Sequence, residues 1–245
     1  MIDTVTFDLW NTLISNRPPD HYRYKQIRVE RIIQVLKRNG LTVRLDDLSL
    51  AYDEGFEKCK ETWKNNRDLS TPEQLGIMME LLPHEKPKSI SPALMQELVE
   101  VFTSPLLDDP PPLIDGAKEV VTHIQEEKYK TGLICNTGRT PGSTIRLFLE
   151  RSGMLNCFDI TTFSNELRIR KPDPRIFLHT LNQIKSLPMN SVHVGDMLEL
   201  DVLGAKNAGM ISVHYAPVLI PQKEIIPDFT ISHLSGLGDI LKNLK

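Results

Sequence analysis

The fold of this chain is set close to its start, by the run Val5-Thr6-Phe7-Asp8-Leu9-Trp10-Asn11-Thr12-Leu13. The residues from Val5 to Phe7 predict the end of a buried β-strand, and Asp8 follows them directly. Open α/β sheets bind their ligands at the carboxyl ends of parallel strands. A carboxylate at the tip of an apolar strand therefore predicts both a parallel sheet and a ligand-binding edge.

Beyond residue 107 the chain alternates predicted strands with predicted helices. Strands are expected at 131–135, 158–163, 192–194, 211–215 and 229–231. Helices of about ten to fifteen residues fill the intervals, and this alternation indicates a doubly wound sheet with helices on both faces. The predicted fold class is therefore α/β, with a mostly parallel sheet.

The segment from residue 15 to residue 106 has a different character, because its apolar residues recur at helical spacing without period-two alternation. Helices are predicted at 21–39, 45–63, 72–82 and 92–102, and Ser91 is the N-cap candidate of the last one. We expect an all-helical domain at 15–106, inserted into an α/β core that is formed by residues 1–14 and 107–245.

The composition is that of an ordinary globular protein, with 40% hydrophobic and 25% charged residues among 245. The formal net charge of -3 gives no reason to expect nucleic acid as a partner. Apolar runs of transmembrane length are absent, and Asp3 and Asp8 interrupt the N-terminus, so we expect a cytoplasmic protein without a membrane partner. Cys59, Cys135 and Cys157 lack metal-ligand spacing and are predicted to be reduced thiols. The sequence leaves the oligomeric state open.

Three further polar sites follow Asp8 along the chain. They are Asn136-Thr137-Gly138 after the apolar run Leu133-Ile134-Cys135, Lys171 before Pro172, and Gly195-Asp196 with Asp201 shortly after. In this order and spacing, the four sites resemble the four motifs of the haloacid dehalogenase (HAD) superfamily. The resemblance covers residues 1–14 and 107–245 and implies a Rossmann-like core. The helical segment resembles the cap domain of that family only in position, length and helicity.

The resemblance implies that Asp8 is a nucleophile, which forms an acyl-phosphate or an alkyl ester with the substrate. It also implies a Mg²⁺ cofactor, since the acidic fourth motif holds this ion in the related enzymes. Mg²⁺ prefers a few hard oxygen ligands. Asp8 and Asp196 would supply carboxylates, Trp10 a backbone carbonyl, and Asp201 a contact that is either direct or made through water. Gly195 would let the backbone approach the site closely.

Lys171 is expected to pair with the nucleophilic carboxylate and with the bound phosphoryl group as a point charge. Asn136 and Thr137 are expected to bind a phosphate oxygen through backbone N–H groups, with help from the Thr137 hydroxyl. Cys135 stands where the family has a serine or threonine, and a thiol is only a weak donor. It is interpreted as a buried residue at the strand end, with direct contact to the ligand as the alternative. Neighbouring Arg168, Arg170 and Asp173 are expected to be solvated or paired locally.

Trp10 is the main departure from the phosphatase pattern. Most phosphatases of the superfamily have an aspartate at this position, which protonates the leaving alcohol and then activates water. An indole can only donate a hydrogen bond, so Trp10 can do neither. General acid–base catalysis contributes about 10² to 10⁴ in rate. Dehalogenases of the same fold also lack this aspartate, but they do without Mg²⁺ and typically lack the Gly-Asp pair of the fourth motif.

These observations leave three hypotheses. The first is a Mg²⁺-dependent phosphatase that hydrolyses a small phosphomonoester through an aspartyl-phosphate. The second is a 2-haloacid dehalogenase for a small halogenated substrate, in which an arginine such as Arg17 holds the substrate carboxylate. The third is a phosphoester-binding protein with little turnover. His21, Tyr22 and Arg23 follow Arg17 closely, and they are interpreted either as facing the site or as a charged solvent face.

Overall fold

A computed structural model describes residues 1–15, 18–83, 90–218 and 224–244, without the side chains of residues 18–21. Its centre is a six-stranded sheet with the strand order β3-β2-β1-β4-β5-β6. Each of the pairings in it is parallel. The strands are β1 (Thr4–Phe7), β2 (Lys130–Cys135), β3 (Ile160–Phe163), β4 (Ser191–Gly195), β5 (Ile211–Tyr215) and β6 (Phe229–Ile231). The predicted α/β fold class with a parallel sheet is confirmed.

Helices cover both faces of this sheet and form the segment between β1 and β2. They are α1 (Pro18–Arg38), α2 (Leu45–Trp63), α3 (Thr71–Glu80), α4 (Pro92–Thr103), α5 (Pro105–Asp108), α6 (Ala117–Glu126), α7 (Gly142–Arg151), α8 (Ser164–Leu167), α9 (Pro174–Gln183), α10 (Leu203–Asn207) and α11 (Leu237–Asn243). The short helices α5 and α8 were not predicted, because four residues are too few for a helical period to be read. The helix predicted from 202 begins earlier, as a π-helical turn at Leu198–Val202.

Alternation along the strands supplies an apolar surface to each face of the sheet. In β2, Leu133 and Cys135 contribute to the larger apolar cluster, whereas Ile134 contributes to a smaller one. Successive strand residues point to opposite faces, so the two clusters lie on opposite sides. Residues of α6, α7 and α11 complete the larger cluster, and residues of α9 complete the smaller one. This is the layered packing that a doubly wound sheet requires.

The helices α1 to α4 bury apolar residues of their own. Ile32, Leu48, Leu75, Leu98 and Phe102 are among the members of a cluster that draws only on residues 29–102. Ser91 caps α4 as predicted, because its Oγ accepts a hydrogen bond from the N–H of Leu94 at 3.1 Å. A separate apolar cluster supports the predicted helical domain at 15–106, although its boundaries stay a prediction. In the part of the chain that the structure describes, no helix has the length and apolarity needed to cross a membrane.

The position of β1 determines where a ligand would bind. This strand is buried throughout and pairs with β2 on one side and β4 on the other. The chain builds the sheet outward from β1 in both directions, so the carboxyl end of β1 lies at the point where the strand order reverses. Open α/β sheets bind ligands in the crevice at this point.

Candidate active site

Asp8 lies at the carboxyl end of β1, in the crevice where the strand order reverses. Its N–H donates to the carbonyl of Val194 in β4 at 2.9 Å, which extends the strand pairing by one residue. Asp8 is only 6% exposed, and its Oδ2 accepts a hydrogen bond from the Thr12 hydroxyl at 3.2 Å. The turn that follows β1 therefore both positions the carboxylate and shields it from solvent.

Lys171 places a buried ammonium group beside this carboxylate. Its Nζ lies 2.5 Å from Oδ1 of Asp8 and 2.6 Å from Oδ1 of Asp201. Burial works against the lysine's charge, but the carboxylates of Asp201 and Asp8 outweigh it and hold the pKa of Lys171 above its ordinary value. Lys171 is therefore a permanent positive charge at the predicted nucleophile.

Three carboxylates converge at this edge of the sheet. Asp8, Asp196 and Asp201 each offer an oxygen within 4.8 Å of the others. Burial, with the charges of Asp8 and Asp201, raises the pKa of Asp196 to about 8. Burial also raises the pKa of Asp8 to about 6, since it outweighs the effect of Lys171. One ammonium thus leaves a surplus of negative charge, which a divalent cation with oxygen ligands would neutralise. These residues fit Mg²⁺.

Asp201 is held more firmly than the other two carboxylates. Its Oδ2 accepts from the N–H of Met197 at 3.0 Å, and its Oδ1 lies 3.3 Å from Nε2 of His193 in addition to Lys171. Burial raises its pKa, but Lys171 and His193 lower it below the ordinary value. Because both oxygens of Asp201 are engaged, Asp196 has more freedom to bind a cation directly.

Gly195 is required at the end of β4 by the position of Asp201. A Cβ at residue 195 would lie 2.3 Å from Cγ of Asp201, a separation that real side chains do not show. Only glycine at residue 195 leaves room for the Asp201 side chain. Gly195 therefore allows a close approach, and the group that approaches it is the Asp201 side chain.

Asn136 links the loop after β2 to the loop that bears Lys171. Its Nδ2 donates to the carbonyl of Lys171 at 3.0 Å, and its Oδ1 accepts from the N–H of Lys171 at 2.9 Å. The N–H of Thr137 donates to Oγ of Ser164 at 2.8 Å, and the Thr137 hydroxyl donates to Oδ2 of Asp68 at 3.1 Å. Both Thr137 groups are thus engaged within the protein, and direct anion binding by Asn136 and Thr137 stays a prediction.

Cys135 is completely buried in the larger apolar cluster. Burial, with the negative charge of Asp8, raises the pKa of its thiol far above the ordinary value. The structure thus supports the interpretation of Cys135 as a strand-end core residue. The three cysteines are free and buried, as expected for reduced thiols.

Trp10 is half-buried and packs against the larger apolar cluster. It belongs to a tight turn in which the N–H of Asn11 donates to the carbonyl of Ile14 at 2.7 Å, and Asn11 has a φ of 60°. The indole thus fills space at the position where the family's acid–base aspartate stands. Coordination of a metal by the Trp10 carbonyl stays a prediction.

The expectation that Arg170 is solvated or paired locally is wrong. This arginine is 9% exposed, and its Nη1 lies 2.7 Å from Oδ2 of Asp68, which comes from the loop between α2 and α3. Asp68 was not predicted as a site residue, because a lone aspartate after a helix gives no signal of a partner 102 residues away. Arg168 is an exposed residue that pairs with Glu73, and Asp173 pairs locally with Arg175, two residues further along the chain.

The residues at the start of α1 contribute less to the described site. Arg17 and the side chain of His21 lie outside the described residues. Tyr22 is 64% exposed, and Arg23 is an exposed residue that pairs with Asp109. For Tyr22 and Arg23 the structure favours the interpretation as a solvent face.

Comparison with known proteins agrees with this geometry. A model of the haloacid dehalogenase-like hydrolase family matches residues 2–209. Glyceraldehyde 3-phosphate phosphatases of Pyrococcus furiosus and Methanopyrus kandleri are 28% and 26% identical, over 98% and 100% of this chain and 93% and 99% of theirs. A 2-haloacid dehalogenase of Pseudomonas syringae shares the fold, with a TM-score of 0.73, full coverage of both chains and 23% identity. The family match spans Asp8, Lys171 and Asp196. The chain therefore belongs to the haloacid dehalogenase-like hydrolases.

Proposed function

We propose that this hydrolase is a Mg²⁺-dependent phosphatase, which cleaves a small phosphomonoester through an aspartyl-phosphate on Asp8. One observation carries the proposal: the Asp8 carboxylate lies beside the Lys171 ammonium, and two further carboxylates, Asp196 and Asp201, converge on it. A dehalogenase attacks carbon and has no use for two further acidic groups, Asp196 and Asp201, around its nucleophile. Phosphoryl transfer needs them, because a cation must neutralise the phosphoryl oxygens before an anion can attack.

In the proposed mechanism, Asp8, Asp196, Asp201 and the Trp10 carbonyl would hold Mg²⁺, with Asp201 contributing either directly or through water. When bound, the ion would supply charge neutralisation for the phosphoryl group. Lys171 adds a fixed positive charge on the side of Asp8 and is placed there before the substrate arrives.

The covalent steps are carried by Asp8. One of its oxygens attacks phosphorus, the ester P–O bond breaks, and the leaving group departs with the bonding electrons as an alkoxide, which takes a proton from solvent. Water then attacks phosphorus and gives up a proton to solvent, the acyl-phosphate P–O bond breaks, and inorganic phosphate departs while the carboxylate is regenerated. Trp10 provides no proton for the leaving alcohol, so esters with acidic alcohols should react faster than alkyl phosphates.

The relatives named above support phosphate esters as the substrate class, and glyceraldehyde 3-phosphate is the first compound to test. The dehalogenase hypothesis is supported by the absence of a carboxylate at position 10, and the binding-protein hypothesis by the same absence. Both remain alternatives for the experiment. A cytoplasmic location and the absence of nucleic acid and membrane partners also stay predictions.

The test is a panel of phosphomonoesters assayed for phosphate release with Mg²⁺ and with a chelator. Mg²⁺-dependent release that Asp8→Asn abolishes would support the proposal. Metal-independent halide release from 2-haloacids would support the dehalogenase instead. Binding of phosphate esters without either activity would leave only the phosphoester-binding protein.

A further inference from the structure

The loop between α2 and α3 carries a completely buried carboxylate, Asp68, which the proposed mechanism does not use. Its Oδ1 accepts hydrogen bonds from Nε1 of Trp63 at 2.9 Å and from the N–H of Leu69 at 2.8 Å. Both donors belong to the helical segment. One oxygen of Asp68 is therefore fixed by its own surroundings, so that the other oxygen points in a defined direction.

Oδ2 of Asp68 faces the α/β core and accepts hydrogen bonds from two of its loops and from the first residue of α8. It accepts from Nη1 of Arg170 at 2.7 Å and from the Thr137 hydroxyl at 3.1 Å, and Ser164 donates to it as well. A buried carboxylate with an arginine partner and this many donors is well compensated, and such networks hold their members rigidly. Asp68 thus links two core loops and the start of α8 to one another.

The two loops that contain Thr137 and Arg170 also bear residues of the candidate active site. Thr137 directly follows Asn136, and Arg170 directly precedes Lys171. Nη1 of Arg170 also donates to the carbonyl of Thr137 at 2.6 Å, which closes the network around Asp68. Asn136 and Lys171 exchange two hydrogen bonds, which tie the two loops to each other as one unit.

Backbone contacts bring the same part of the helical segment against the lysine loop. The carbonyl of Asn66 accepts from the N–H of Arg170 at 2.9 Å, and Arg67 and Ile169 form an antiparallel bridge. Asp68 therefore lies at the end of a short pairing between residues 66–68 and 168–170. Displacement of this part of the helical segment would displace the residue before Lys171.

We propose that Asp68 is a positioning residue for this enzyme, contributed by the helical segment. Through Arg170 and Thr137 it holds the unit that presents the Lys171 ammonium to Asp8 and to the phosphoryl group. The inference rests on the proposed phosphatase function. Its expected importance follows from geometry, since a displacement of about 1 Å of a catalytic group can cost about 10²-fold in rate.

The test compares Asp68→Asn with the matched control Glu73→Gln. An asparagine has a single acceptor oxygen and cannot serve both sets of donors. Glu73 pairs with Arg168 in the same pairing region but at the surface, so its amide variant controls for a change of charge there. For p-nitrophenyl phosphate at saturating Mg²⁺, we expect Asp68→Asn to lower kcat by about 10- to 100-fold. Glu73→Gln should stay within about twofold of wild type, the range expected when only a weak surface pair is lost.

Two measurements separate positioning from general destabilisation. The assays are run well below the Tm of each variant, and the Kd values of Mg²⁺ and of inorganic phosphate are measured by calorimetry. Positioning predicts weaker phosphate binding with an almost unchanged Mg²⁺ Kd, because Asp8 and Asp196 are left in place. A variant with a lower Tm but a kcat within twofold of wild type would overturn the inference.

Ser164→Ala is the second variant, and it tests the positioning role of Asp68 if Asp68→Asn does not fold. It removes one donor to Asp68 and the acceptor of the Thr137 N–H, but keeps the charge pair. A smaller loss of kcat and of phosphate affinity is expected, and unchanged values would contradict the inference. If wild type lacks phosphatase activity, the proposed function fails, and phosphate binding by these variants still tests Asp68.

Discussion

Nζ of Lys171 lies 2.5 Å from Oδ1 of Asp8, although 163 residues separate the two in the chain. Both side chains are buried, and the lysine also pairs with Asp201. The two carboxylates hold the pKa of this buried lysine above its ordinary value, so Lys171 keeps its proton at neutral pH. The nucleophile of the proposed mechanism is thus oriented by a charge that exists before substrate or metal binds.

Asp8→Asn should abolish phosphate release while the protein remains folded. The amide is nearly isosteric with the carboxylate but is no nucleophile, and Lys171 keeps Asp201 as its partner. We expect kcat to fall by at least about 10³-fold, which corresponds to about 4 kcal/mol of transition-state stabilisation. The measurement is Mg²⁺-dependent phosphate release, with the circular dichroism spectrum and Tm as controls for folding. Substantial residual activity would exclude Asp8 as the nucleophile.

Asp196→Ala should weaken Mg²⁺ binding more than Asp201→Ala does. Both oxygens of Asp201 are engaged within the protein, so this residue is the one expected to act through water or by orientation. We expect the Mg²⁺ affinity of Asp196→Ala to be about tenfold lower than that of Asp201→Ala, a difference of about 1.4 kcal/mol. Calorimetric titration of both variants measures it. Equal dissociation constants would show that the ranking is wrong.

Mg²⁺ affinity should rise with pH up to about 8 and then level off. Without metal, burial holds the pKa of Asp196 near 8 and that of Asp8 near 6, so Asp196 carries a proton at neutral pH. Metal ligands must be deprotonated, and binding therefore releases this proton. The apparent Kd should fall by about tenfold per pH unit for one released proton between pH 6 and 8. Calorimetric titrations in buffers of different ionisation enthalpy count the protons released on Mg²⁺ binding. A Kd independent of pH would contradict the raised pKa of Asp196.

Trp10→Asp should raise the turnover of alkyl phosphates, because it supplies the missing acid–base group. The gain expected is about tenfold or more, at the low end of what general acid–base catalysis contributes. In wild type, the p-nitrophenolate of p-nitrophenyl phosphate can leave with little protonation, so the aspartyl-phosphate should form faster than it breaks down. It should therefore accumulate, and acid quench should trap it. Trp10→Phe is the matched control, since it keeps an aromatic ring against the apolar cluster. Brisk hydrolysis of alkyl phosphates by wild type, without an accumulated intermediate, would refute the missing-acid argument.

Cys135 should resist thiol reagents in the folded protein at neutral pH. The side chain is fully buried, and burial with the nearby Asp8 raises the pKa of its thiol. The thiolate is the reactive form, so alkylation should require unfolding. Labelling by iodoacetamide with and without denaturant, read by mass spectrometry, checks this expectation. Rapid labelling with loss of activity would instead indicate an accessible Cys135 at the ligand.

The sequence by itself determined the architecture of the α/β core. Apolar strand runs that end in Asp8, Asn136 and Asp196 are local patterns, and a parallel sheet brings their carboxyl ends to one edge. Asp8 and Asp196 could therefore be expected at one edge without coordinates, whereas Lys171 and Asp201 were assigned by the resemblance to the haloacid dehalogenase superfamily. Gly195 also belongs to this class, since a glycine before a strand-end aspartate indicates a close approach before the contact with Asp201 is known.

Only the tertiary structure decided how the helical segment takes part in the site. Asp68 and Arg170 look like ordinary charged surface residues in the sequence, because helical and strand periodicity report which face is apolar and not which distant partner a charge meets. Their burial follows from the packing of the loop between α2 and α3 against the loops after β2 and before Lys171. A buried charge persists only when a partner compensates it, and in this protein that partner comes from a distant part of the chain.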